Sequence, residues 1–194
     1  DAADGYARLA RKLSAWITSA TPAGILYDLD LRLRPNGQSG LLVSTVEAFR
    51  QYQARDAWLW EHQALTRARF VAGDAAIGDA FEKVRFEVLS QPRDLAALRQ
   101  EVLTMRARML ETHPAQPDKL KHARGGIIDL EFIVQYLVLA YSHYHPELTG
   151  NIGNIALLHL AANAGLIEHD QAEACQAAYR HYRRLQHAQR LNEH

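Results

Sequence analysis

Residues 27–37 read Y-D-L-D-L-R-L-R-P-N-G, alternating at every second position until a proline and a glycine stop the pattern. That period is the period of a strand. Extended back to Gly24, it places Ile25, Tyr27, Leu29, Leu31 and Leu33 on one face, with Leu26, Asp28, Asp30, Arg32 and Arg34 on the other. Pro35-Asn36-Gly37 reads as a turn and 41–43 as a candidate second strand, so a small antiparallel β element is expected. Two carboxylates and two guanidiniums on one strand face have two readings. One is a salt-bridge ladder on a sheet surface. In the other, the carboxylates hold Mg²⁺ and the arginines grip phosphate oxygens, the mixture that phosphoryl and nucleotidyl transfer use.

On either side of this stretch the pattern is helical. Leu9, Leu13 and Trp16 make one stripe of a helix over 6–17. From Ser44, an N-cap candidate with Glu47 at the capping-box position, apolar residues recur three or four apart as far as Val71. One long helix or two collinear ones ending near Gly73 are expected. Helices over 80–89 and 95–110 flank Pro92, and the polar stretch 113–121, with two prolines, reads as a loop. Helices over 127–144, 154–165 and 171–191 complete the chain. The expected fold is mainly α, with the small β element in an N-terminal domain over 1–73 and a helical domain over 74–194.

The 194 residues are ample for a core, and Lys plus Arg equals Asp plus Glu at 22 each. Zero net charge gives no global signal for a nucleic-acid or membrane partner. The most apolar run, 127–141, is interrupted by Asp129, Glu131 and Gln135, so it is not read as a membrane span. A single cysteine makes no internal disulfide, and no secretory signal opens the chain, so a reducing, cytoplasmic setting is expected. Cys175, in an alanine-rich stretch with no close positive neighbour, reads as packed and inert. The ten histidines show no ligand spacing, and no His-Glu-x-x-His or paired-cysteine motif occurs, so no zinc site is expected.

Two helical stretches carry charge. In W-E-H-Q-A-L-T-R-A-R, 60–69, Trp60, Gln63 and Arg67 share a face. That face is either solvated or packed, and if packed, Glu61, Arg67 and Arg69 need partners. In G-G-I-I-D-L-E-F-I-V-Q, 125–135, apolar residues run almost all round the helix, which marks it as buried. Asp129 and Glu131 there are either dipole partners of the helix N-terminus or counter-ions for Arg67, Arg69 or Arg124. Pairing of Arg67 or Arg69 with Asp129 or Glu131 is expected. Gly125 and Gly126 permit close backbone approach at a helix start, a place that suits phosphate.

Three stretches in order carry a resemblance: Y-D-L-D-L-R-L-R-P-N-G with S-G-L-L-V, W-E-H-Q-A-L-T-R-A-R with V-A-G-D, and G-G-I-I-D-L-E-F-I-V-Q-Y-L. From about Tyr6 onward the chain resembles the glutamine synthetase adenylyltransferases. The resemblance implies an enzyme with two related halves, each a DNA-polymerase-β-like nucleotidyltransferase fold followed by helices. One half attaches AMP to a tyrosine of glutamine synthetase and the other removes it by phosphorolysis. W-E-H-Q-A-L and L-V-L-A-Y-S-H-Y-H-P-E-L-T look more like the C-terminal, adenylylating half. The implied substrate and cofactor are ATP and Mg²⁺. The implied partners are glutamine synthetase, the PII signal protein and glutamine as effector.

In that fold three carboxylates bind two metal ions, two of them in a Gly-Ser-Asp-Leu-Asp segment and the third on a later strand. Asp30 matches the third, within Tyr-x-x-Asp-x-Arg-Leu-Arg-Pro, while no Gly-Ser-x-x-Asp segment occurs in these residues. Asp28-Leu29-Asp30 is not that pair, because no Gly-Ser turn precedes it and Arg-Leu-Arg-Pro follows. The resemblance thus implies a piece that begins after the first catalytic strand and is inactive alone. Asp30 would be its catalytic metal ligand, with Arg32, Arg34, Arg67 and Arg69 toward the nucleotide. Glu61, Gly125, Gly126, Asp129 and Glu131 would be supporting residues, and Asp28 has no assigned part. The rival reading is a helical regulatory module that contacts glutamine synthetase or PII. A uridylyltransferase is a third, against which the 60–69 stretch speaks.

Overall fold

The computed structural model describes residues 2–22, 24, 25, 27, 29–31, 34–112 and 120–192. Leu26, Asp28, Arg32 and Leu33 of the expected strand lie outside them, as do residues 113–119 of the expected loop. The helices are α1 (Ala2–Thr18), α2 (Val46–Arg55), α3 (Leu59–Leu65), α4 (Ala75–Leu89), α5 (Leu95–Thr112), α6 (Ile127–Tyr141), α7 (Asn154–Asn163) and α8 (His169–Asn192). Short 3-10 turns occupy Gly37–Ser39 and Pro146–Thr149. The chain divides into two compact units, Asp1–Ala57 and Trp58–His194.

In the N-terminal unit the expected β element does not form. Among the described residues there is no strand, only one isolated antiparallel bridge between Thr21 and Gly24. A strand exists through its neighbour, and a lone hairpin is marginal in water. Here the described Ile25, Tyr27, Leu29 and Leu31 are all exposed, so no layer covers the apolar face. The local acceptors are satisfied within the turn instead. Arg34 Nη1 donates to the Leu31 carbonyl at 2.6 Å, and the Gly37 N–H donates to the Arg34 carbonyl at 2.8 Å. The antiparallel β element expected within a mainly α fold is corrected: the described architecture is helices and turns. Pro35-Asn36-Gly37 does turn the chain, with Asn36 and Gly37 left-handed at φ 61° and 54°.

Of the one long helix or two collinear ones expected up to Gly73, two separate helices form, and the second ends at Leu65. α2 is capped by Thr45, whose Oγ1 accepts from the Ala48 N–H at 3.1 Å, rather than by a Ser44–Glu47 box. It ends at Arg55, and Trp58 is extended at φ −75° and ψ 156° before α3 begins. The Trp58 N–H, lost to any continuous helix, is captured by Glu61 Oε2 at 2.9 Å.

The C-terminal unit is built around α6, which packs on α3, α5, α7, α8 and the Pro146–Thr149 turn. Its Ile128, Val134, Val138 and Leu139 are buried, as an all-round apolar helix requires. α4 starts five residues before the expected 80, because Asp74 Oδ1 accepts from the Ala76 and Ile77 N–H groups at 2.9 and 3.3 Å. Gly78 lies inside this helix. A Cβ there would meet the Phe70 ring at 2.8 Å, so the glycine lets the ring lie against the helix.

Candidate functional site

The α3 segment is fixed at both ends by polar groups. At its start the buried Glu61 holds the Trp58 N–H. In its middle Gln63 Nε2 donates to Gln135 Oε1 at 3.0 Å and ties α3 to α6. At its end the carbonyls of Leu65 and Thr66 accept from Arg85 Nε and Nη2 at 2.8 and 3.0 Å. A buried guanidinium thus satisfies the last carbonyls of a short helix, where a cation also meets the negative end of the dipole. Burial pushes the Arg85 guanidinium down from its usual range, and Glu82 opposes that shift. The His62 ring is buried too, and its Nδ1 accepts from Arg93 Nη2 at 3.1 Å, which leaves the proton on Nε2.

Just beyond α3, Arg67 Nη1 lies 3.0 Å from Glu131 Oε1, the pairing expected between these stretches. The same Glu131 oxygen accepts from the Tyr179 hydroxyl at 3.4 Å. The pair is not deeply buried, since the Arg67 side chain is 56 % exposed. Asn151 Nδ2 donates to the Arg67 carbonyl at 3.0 Å. Arg67, Arg69, Asn151 and Tyr179 line a cleft of about 390 Å³. Arg69 is exposed and has no ion-pair partner among the described residues. The cleft therefore offers one guanidinium tied to a carboxylate and a second one open to an anion.

Asp129 has a different partner from those expected. Arg106 Nε donates to Asp129 Oδ1, and the Gly125 N–H donates to Asp129 Oδ2 at 2.6 Å. Arg106 Nη2 also reaches the His122 carbonyl at 3.1 Å. Gly126 is needed for this close approach: a Cβ there would meet the Leu120 carbonyl oxygen at 2.2 Å. The glycine pair thus closes a turn onto Asp129, and the Gly125 N–H is occupied. Arg106 was missed by sequence reasoning, although a signal existed. Leu98, Val102 and Arg106 are the buried residues of α5, spaced four apart, and an arginine in register with a core stripe demands a carboxylate.

In the N-terminal unit, Asp30 is exposed and Arg34 binds its own turn. Asp28 and Arg32 lie outside the described residues. No three His, Cys, Asp or Glu groups cluster as cation ligands among the described residues. One solvent-facing carboxylate does not make a Mg²⁺ cage, so these residues alone do not fit a two-metal centre.

Comparison with known proteins bears on the chain in two parts and as a whole. Residues 1–84 match the family model for glutamate-ammonia ligase adenylyltransferase. Residues 93–193 match the model for GlnD PII-uridylyltransferase. Along its whole length the chain is 67 % identical over 193 residues to a bifunctional glutamine synthetase adenylyltransferase/adenylyl-removing enzyme of Chromobacterium violaceum, covering 100 % of this chain and 22 % of the relative. Proteins of the same name from Aromatoleum aromaticum and Nitrosomonas europaea are 58 % and 60 % identical over 194 and 195 residues, covering 99 % of this chain and 21 % of each relative. The chain spans about a fifth of the length of these relatives. Similarity of this degree along the whole chain, with the three motifs in order, settles its kinship: it belongs to the glutamine synthetase adenylyltransferase family.

Proposed function

We propose that the chain is part of an enzyme that transfers AMP from ATP to a tyrosine of glutamine synthetase, within the half that adenylylates. The carrying observation is the 67 % identity, along the whole chain, to a relative whose name states both activities. The W-E-H-Q-A-L and L-V-L-A-Y-S-H-Y-H-P-E-L-T stretches support the choice of half. In the reaction a tyrosine oxygen bonds to the α-phosphorus of ATP. The bond to the bridging oxygen breaks, pyrophosphate leaves and the phenolic proton is released. Asp30 would give one carboxylate to a Mg²⁺ site completed by ligands beyond the described residues, and Arg32 and Arg34 would face phosphate oxygens. Arg67 and Arg69 are assigned to the nucleotide as well, and the cationic cleft they line supports that reading. Glu61 at the start of α3, Glu131 as the partner of Arg67, and Gly125, Gly126 and Asp129 at the turn before α6 are assigned as supporting residues.

The test is Asp30→Asn in the whole enzyme, with label from ATP counted on glutamine synthetase. Transfer is expected to fall on the order of a hundredfold or more. A variant that labels at the wild-type rate removes Asp30 from the chemistry.

A regulatory reading rests on a separate observation, the match of 93–193 to the PII-uridylyltransferase model. On it the helices from α5 to α8 would contact PII or glutamine synthetase, with glutamine as effector. Substitutions on these helices would then change the response to PII and glutamine and leave basal transfer unaltered.

A further inference from the structure

α5 and α6 pack side by side but do not fill the space along their shared edge. A groove of about 610 Å³ runs there, within the range of small-molecule sites. Its walls are apolar: Leu103 from α5, Phe132 and Ile133 from α6, and Leu166 and Ile167 from the turn before α8. Leu103 and Ile133 are each more than two-fifths exposed, so two large aliphatic side chains on neighbouring helices present much of their surface to solvent. Such paired exposure inside a concavity marks a binding surface better than an isolated exposed leucine does.

The charges at this groove are unbalanced. Arg99, Arg106 and Arg124 line it, against the single carboxylate of Asp129. That carboxylate is already committed to Arg106 and to the Gly125 N–H. Arg106 is 8 % exposed, and its Nη1 is buried without a hydrogen-bond partner. Arg99 and Arg124 are exposed, so two guanidiniums stand free of that carboxylate beside an apolar trough. Tyr136 adds an aromatic wall. It meets Tyr141 edge-on at 6.4 Å between ring centres.

We propose that the α5–α6 groove binds a small anionic amphiphile, with an aromatic or aliphatic body between Leu103, Phe132 and Ile133 and an acidic head at one of the two exposed guanidiniums of its lining, Arg99 or Arg124. The site lies apart from the Arg67–Arg69 cleft, on another face of α6, and does not depend on the function proposed above. An uncharged body would gain only the apolar burial. A head group alone would meet exposed guanidiniums that water screens. Selectivity comes from requiring both.

The probes are anilinonaphthalene sulfonate, an apolar ring system with one sulfonate, and the uncharged phenylnaphthylamine, titrated by fluorescence into the 194-residue chain. Arg99→Gln with Arg124→Gln is expected to weaken the sulfonate probe on the order of tenfold and to leave the uncharged probe within about twofold. Leu103→Trp and Ile133→Trp, made separately, fill the trough and are expected to abolish both signals while the helical circular dichroism persists. A wild type that brightens neither probe overturns the proposal. So do unchanged titrations in both tryptophan variants, or equal loss of both probes in the arginine variant.

Discussion

In the C-terminal unit Leu139, Leu148 and Leu158 are 1 % exposed, while in the N-terminal unit Trp16 is 66 % exposed and Tyr27 69 %. Both units are rich in apolar residues at regular spacing. The difference lies in what each stripe meets. α6 is apolar around most of its circumference and packs on α3, α5, α7 and α8, so most of its faces have a neighbour. α1 carries Leu9, Leu13 and Trp16 on one stripe, yet all three are exposed. Periodicity makes a helix amphipathic; burial needs a second surface of matching shape.

The comparison can be broken most sharply at Asp129. Asp129→Ala strands the Arg106 guanidinium in the interior and is expected to cost about 4 kcal/mol in urea unfolding followed by circular dichroism. A loss below about 1 kcal/mol would mean that the clamp does not hold α5 to α6. Leu139→Ala opens a cavity in the enclosed unit and is expected to cost about 3 kcal/mol, against less than about 0.5 kcal/mol for Trp16→Ala in the open one. Equal losses at the two positions would erase the contrast.

Smaller effects sharpen it. Arg67→Gln removes a half-exposed ion pair and is expected to change stability by less than about 1 kcal/mol, measured by the same unfolding. The smallest effect concerns Cys175, whose thiol is pushed up by burial. The folded state favours the protonated thiol, so the thiolate appears only as pH climbs past the ordinary cysteine range. Reaction with a disulfide reagent is therefore expected to be slower at pH 8 in the folded chain than in urea. Equal rates would place the thiol in solvent.

What the sequence made legible follows the same division. The α6 helix, its burial and the Arg67–Glu131 pair were readable, because an all-round apolar run and a charge beside it leave few alternatives. The strand over 24–33 was not, because alternation specifies a face and not the neighbour that must hydrogen-bond to it. Two helices were one of the readings over 44–73, but the position of the break between α2 and α3 was not legible. It rests on Glu61 turning back to the Trp58 N–H, and the stripe through 46–71 runs on regardless. At the candidate site, Arg85 and Arg106 were given no part, because the backbone carbonyls they reach come from segments distant in sequence. Both are interior residues that satisfy backbone carbonyls.

The most direct measurement incubates this chain, and separately the whole enzyme of the same family, with labelled ATP, Mg²⁺ and glutamine synthetase. Label on the synthetase with the whole enzyme alone is the predicted result, since this chain brings Asp30 and the cationic cleft but no complete carboxylate cluster among its described residues. Label transferred by this chain alone would contradict the account and place the whole catalytic apparatus within these 194 residues.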